Sequence, residues 1–204
     1  MMATTHALAG MVVAGVTVVI APDYTSVAVA AAGIGGAFPD LDLYADHRKT
    51  LHFPTYYAAL AAVFVTVAIV VPDPLTVGLA WFLVAAALHS GMDGFGGGLE
   101  LKPWRGTSER AVYDHYRGRW LRPRRWVRYD GAPEDLALAV VLGLACIAIY
   151  PASIDPVIAI VIGISAIYTL LRKPMIWVAE RFVDALPPTL LDRVPERFVE
   201  DFRS

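Results

Sequence analysis

Four histidines and four aspartates fall in three short stretches of the first hundred residues: His6 in THALAG, Asp40, Asp42, Asp46, His47 and His52 in FPDLDLYADHRKTLHF, and His89 and Asp93 in LHSGMD, with Asp46 read as a solvated loop charge. Imidazole and carboxylate are the side chains that bind zinc and similar divalent ions. His89 and Asp93 are four residues apart, a spacing that sets both on one face of a helix and lets them chelate one ion. In PDLD the two aspartates alternate, so in an extended loop they point apart, one toward a metal and the other toward a ligand that it orients. Each residue also has an ordinary explanation. A histidine at a helix end can be an interfacial or capping group, Pro-Asp is a common turn, and Arg48 and Lys49 can be membrane-surface anchors.

The elements that must position these groups are membrane helices. The chain of 204 residues is 57% hydrophobic and only 18% charged, with a mean hydropathy of +0.54. That balance excludes an ordinary soluble domain and predicts an all-α, polytopic membrane protein. Apolar runs at about 6–21, 25–38, 55–71, 75–92, 136–150 and 155–171 predict six transmembrane helices, several near the lower length limit of about 17 residues, so that the first two could instead form a shallow hairpin. The first lacks the basic flank of a cleavable signal and is expected to be retained. Cys146 is the only cysteine and lies in an apolar run, which leaves no intramolecular disulfide and no thiolate metal site.

Lysine and arginine are confined to the 39–54 loop, the 94–135 segment and the chain after 171. With six spans, all three map to one side together with both termini, and the positive-inside rule makes that side cytoplasmic. The site candidates converge on this same face, where ionisable groups beside membrane segments tend to be functional. The predicted organisation is a membrane-embedded domain over 1–171, including the cytoplasmic loop 94–135, and an amphipathic tail over 172–204. In the tail, Ile176, Trp177, Phe182, Val183 and Leu186 make an apolar stripe beside Arg172, Lys173 and Arg181, Pro187-Pro188 breaks the helix, and a second short helix follows around 189–203.

The 94–135 segment interleaves nine basic residues with tryptophan and tyrosine. Such a pattern suits nucleic acid, but contact with anionic headgroups and an aromatic interface is the simpler expectation. The glycines at 94 and 96–98 are followed by no Gly-Lys-Ser/Thr, so they read as the end of a helix, not as a phosphate loop.

In order and spacing, THALAG, FPDLD, HRKTLH and LHSGMD resemble the successive motifs of the YdjM-like membrane-bound metal-dependent hydrolases, a prokaryotic family that is distantly similar to the zinc-dependent phospholipase C and P1 nuclease superfamily. The resemblance covers most of residues 4–135. It implies His6, Asp40, His52, His89 and Asp93 as metal ligands, with His47, a further metal candidate, Asp42 and Arg48 behind them or on the substrate. It also implies one or two divalent ions, zinc foremost. The chain departs from the superfamily after Asp93, where His115 is the only remaining histidine and Arg119, not Glu, stands four residues on. Glu134, in YDGAPEDL, is the acidic residue that the resemblance offers to close a two-metal site, although it is equally suited to be an N-terminal helix charge.

The expected activity is hydrolysis of a phosphoester, lipid or other, at the cytoplasmic membrane face, with Asp42 or Glu134 as general base and Arg48 neutralising phosphoryl charge. The rival expectation is a non-catalytic membrane protein with a structural metal, or a scaffold for a soluble partner.

Overall fold

A computed structural model describes residues 1–187. The chain is mostly helical: α1 Ala3–Ala14, α2 Thr17–Ile20, α3 Thr25–Ala37, α4 Pro54–Val70, α5 Pro74–Met92, α6 Pro133–Ile149 and α7 Asp155–Ala185. Proline stands in the first turn of α4, α5, α6 and α7, where its fixed φ suits the helix and its missing N–H costs nothing. Asp73 caps α5: its Oδ1 accepts from the N–H groups of Leu75 (2.8 Å) and Thr76 (3.1 Å), while its own N–H donates to Thr76 Oγ1.

Among the described residues, four stretches are long and apolar enough to cross a membrane: Ala3–Ile20, Pro22–Leu43, Pro74–Phe95 and Ala152–Ala185. The other two apolar helices, α4 and α6, have 17 residues each. Large hydrophobic side chains such as Val19, Ile69, Val70, Leu75, Val141, Ile160 and Leu170 are exposed on these helices, the pattern of surfaces that meet lipid instead of water.

The core is α1, α3 and α5 packed on one another, with α4 against α5 and α6 against α1 and α7. Glycine sets how closely the first three approach. A methyl group on Gly35 would meet the Phe82 backbone at 2.2 Å, and one on Gly36 would meet His6 O at 2.6 Å. Both positions need hydrogen in place of a side chain, as in the small-residue contacts that let membrane helices touch. This contact sets His6 and His89 next to each other in the core.

Two expectations change. The basic segment contains a short antiparallel hairpin, β1 Val112–Asp114 with β2 Arg119–Leu121, in register Val112 to Leu121, so the chain is not purely helical. The separation at residue 171 also disappears. Helix α7 continues through Pro174 to Ala185 as one element of 31 residues. Its expected stripe divides, with Trp177 and Phe182 exposed while Ile176, Val183 and Leu186 are half-buried. The short helix expected around 189–203 lies outside the described residues.

Candidate metal centre

Three pieces of chain bring the site together. Residues Phe38–Tyr44 continue α3 as a 3-10 helix and carry Asp40 and Asp42. The loop before α4 carries His47, Arg48 and His52, and the last turn of α5 and the residue after it supply His89 and Asp93. Asp40, His52, His89 and Asp93 each offer one ligand atom to a group that could hold a metal ion, all within 4.8 Å of one another.

His52 Nε2 is 3.1 Å from His89 Nε2, 3.1 Å from Asp93 Oδ2 and 3.7 Å from Asp40 Oδ1. His89 Nε2 is 3.3 Å from Asp93 Oδ2 and 3.4 Å from Asp40 Oδ1. Four atoms each about 2.0–2.1 Å from one tetrahedral zinc would stand roughly 3.3–3.4 Å apart, so these spacings are those of a ligand shell.

The hydrogen bonds behind the ligands point the same way. His89 Nδ1 lies 2.6 Å from the Gly36 carbonyl oxygen, which can only accept, so Nδ1 carries the proton. His52 Nδ1 lies 3.0 Å from Asp42 Oδ2 and donates to that carboxylate. In the neutral rings both Nε2 atoms are therefore bare lone pairs facing each other, an arrangement that calls for a cation between them. Asp93 Oδ2, buried beside both, has no hydrogen-bond donor among the described residues apart from these ring nitrogens. A divalent ion fits this donor set.

His52 lies outside the membrane-spanning segments. Burial works to lower its pKa, but hydrogen bonds with Asp40, Asp42 and Asp93 outweigh burial and raise it to about 10. The pocket thus attracts positive charge, whether proton or metal.

Asp42 does not act as a free base. Its Oδ1 accepts from His47 Nδ1 at 2.7 Å and the Arg48 N–H at 3.4 Å, and its Oδ2 accepts from His52 Nδ1 and the Leu51 N–H at 3.1 Å. With four donors on two oxygens it positions rings and backbone, because the 3-10 turn aims Asp40 at the cluster and Asp42 behind it. His47 accordingly stands outside the four ligand atoms, held by Asp42. His6 is also outside them: its Nε2 meets the other oxygen of Asp93 at 3.2 Å, and its ring stacks on His89 at 3.7 Å between centroids.

Arg48 is buried, with φ 59°, a left-handed conformation that costs on the order of 1–3 kcal/mol for a residue with a Cβ. The Tyr113 N–H donates to its carbonyl at 3.0 Å, and its Nη1 donates to Gly97 O at 2.7 Å. Its Nε lies 3.7 Å from Asp93 Oδ2. Burial opposes its charge, but the carboxylates of Asp93, Asp130 and Asp40 more than compensate and raise its pKa.

Comparison of the chain with protein-family models, with curated proteins and with solved structures finds no match. The chemistry of the site therefore has to be argued from its own residues.

Glu134 is not brought to the cluster. It sits in the first turn of α6 and takes Arg128 bidentately, Nε at 2.7 Å and Nη2 at 2.9 Å, so a guanidinium supplies the positive charge expected from a second metal. Its neighbour Asp135 is the buried acid of that turn. Asp135 accepts from the Met2 N–H (2.8 Å), Thr5 Oγ1 (2.7 Å) and the Gly131 N–H (3.0 Å), tying α6 to the start of α1. His115 packs against Phe53 at 4.5 Å between ring centroids. The glycine run pairs with the basic segment through Gly94 O, Phe95 O and Gly96 O, which accept from the N–H groups of Arg124, Val127 and Arg125.

Proposed function

We propose that this protein is a metal-dependent hydrolase of phosphoesters, embedded in the cell membrane by six spans, with its site and both termini on the cytoplasmic side and a kinship to the YdjM-like hydrolases. The single observation that carries the reading is the pair of Nε2 atoms of His52 and His89, 3.1 Å apart, flanked by Asp40 and Asp93 oxygens. Zinc is the ion proposed, one per chain, and His6 supports it by contacting the other oxygen of Asp93 and stacking on His89. Bound there, the ion supplies Lewis-acid polarisation and a lowered pKa for water.

The chain's own residues do the rest. Asp42 and the Gly36 carbonyl hold the two imidazoles in the ligating tautomer. Arg48 uses Nη1 on carbonyl oxygens, which leaves Nη2 with no hydrogen-bond partner among the described residues; Arg48 lines the neighbouring cavity, where its guanidinium binds phosphoryl oxygens and stabilises their developing charge. His47 lines that cavity while bonded to Asp42, so it is placed to take or give a proton at its other ring nitrogen.

The test is turnover of bis(p-nitrophenyl) phosphate by the detergent-purified chain. Activity that vanishes with chelator, returns with zinc and falls about 10²–10⁴-fold in His47→Ala supports the reading; turnover indifferent to chelator or to His52→Ala sinks it. A structural metal without catalysis is the second reading, favoured by the near-complete burial of His52, His89 and Asp93. It predicts bound metal, a lower melting temperature on chelation, and no turnover. Reporter fusions that place the 94–135 segment outside would overturn the orientation.

A further inference from the structure

Beside the cluster the chain surrounds a cavity of about 570 Å³, within the roughly 300–1,000 Å³ range of sites that take small organic molecules and far larger than a phosphate ion needs. Asp40, His47 and Arg48 line one part of it, so it is continuous with the exposed side of the ligand group, where Asp40 keeps 21% exposure. The opposite wall is a single stripe of α7. Ile164, Tyr168, Arg172 and Ile176 all line the cavity, and their spacing of four residues puts them on one helix face.

That stripe carries two polar residues, Tyr168 and Arg172, between the apolar Ile164 and Ile176. Tyr168 donates its hydroxyl to Asp130, and Arg172 donates to the same carboxylate through Nε at 2.9 Å and Nη2 at 3.3 Å. These bonds fix both side chains in the wall, and Arg172 Nη1 has no partner among the described residues. Two arginines with unused guanidinium donors, Arg48 and Arg172, therefore line one cavity, and the planar guanidinium fork suits phosphate oxygens.

Two apolar lining residues also reach the outer surface. Leu43 is 63% exposed and Ile164 51% exposed, and both belong to stretches long and apolar enough to cross a membrane. In a bilayer such positions meet lipid.

We infer that this cavity binds a phosphate-bearing amphiphile that enters laterally from the bilayer, its phosphate between Arg48 and Arg172 beside the ligand group and its hydrocarbon chain leaving past Leu43 and Ile164. Ile164, Tyr168 and Arg172 then determine which molecules are accepted. The inference rests on the phosphoester reading only for the fate of the bound molecule.

Calorimetric titration of the full, zinc-loaded chain in non-ionic detergent tests it with three probes: oleoyl lysophosphatidic acid, inorganic phosphate and monoolein. The lysolipid is expected to bind saturably and about tenfold or more tighter than phosphate without a tail or a tail without phosphate. Ile164→Trp, which fills the lateral opening, weakens lysolipid binding about tenfold with metal content unchanged. Leu43→Trp does the same from the other lip if the first variant fails to fold. Ile167→Trp, at a position that is 59% exposed on α7 but off the stripe, leaves binding intact. Phosphate or monoolein binding as tightly as the lysolipid, or variants at 164, 43 and 167 that behave alike, overturns the proposal. Intact lysolipid binding without metal-dependent turnover of bis(p-nitrophenyl) phosphate overturns the hydrolase reading alone and leaves this one standing.

Discussion

The end of α5 and the start of α6 each place buried acid near the first residues of α1, yet they do different work. Asp93, after α5, has an oxygen that no backbone N–H or hydroxyl among the described residues reaches and that meets only the Nε2 atoms of His52 and His89, at 3.1 and 3.3 Å. Asp135, in α6, is equally buried but receives two N–H groups and a hydroxyl. Burial alone therefore does not mark a functional carboxylate. What marks it is a donor set left incomplete by the protein, since a buried polar group is normally satisfied.

Substitutions at the two ends can break this contrast. The largest effect is expected for Asp93→Ala combined with His89→Ala: metal content, read by elemental analysis, falls to background. Asp42→Asn comes next. It keeps the shape but removes the charge behind His52, and metal affinity measured by chelator competition drops about 10–100-fold, the usual cost of a lost supporting partner. Asp135→Ala leaves Met2, Thr5 and Gly131 donors unmet, which costs about 1–3 kcal/mol; it lowers the melting temperature with metal content unchanged. Glu134→Gln disrupts a solvent-screened surface pair and changes neither quantity. Loss of metal on Glu134→Gln would overturn its exclusion from the site.

The contrast can also be sharpened with pH. His52 has its pKa raised to about 10 in the metal-free fold, against about 6.5 in an unfolded chain. A raised pKa means that its proton contributes stability fully below about 6.5 and that this contribution is lost as pH rises through about 10. Metal takes the place of that proton, so metal affinity should climb with pH across this window. Melting curves of chelated and zinc-loaded protein should diverge toward the alkaline end; parallel curves would count against proton–metal competition at His52.

Much of the arrangement is visible in the chain itself. His89 and Asp93 announce a shared face by their spacing, and the segregation of Lys and Arg gathers Asp40 and His52 to the same end. Other parts are legible only in three dimensions. Nothing in PDLD tells which aspartate faces the ligands, because that depends on a 3-10 turn instead of an extended loop. The hairpin at Val112–Leu121 is hidden in a run dominated by charge and aromatics, and its role in holding Arg48 through Tyr113 is a non-local contact. Glu134 had the right charge in the right stretch, but Arg128 six residues earlier claims it. In the sequence, Ile164 to Ile176 are divided between the last apolar run and the amphipathic tail; the unbroken helix through Pro174 makes them one wall of a cavity.

Metal stoichiometry of the full chain, purified without chelator and read together with X-ray absorption at the zinc edge, tests the central claim most directly. The account predicts about one divalent ion per chain, with two imidazoles and carboxylate oxygens at roughly 2.0–2.2 Å, lost when His52 and His89 are both replaced by alanine. A chain that carries no such ion, or one that keeps it in the double variant, would contradict it.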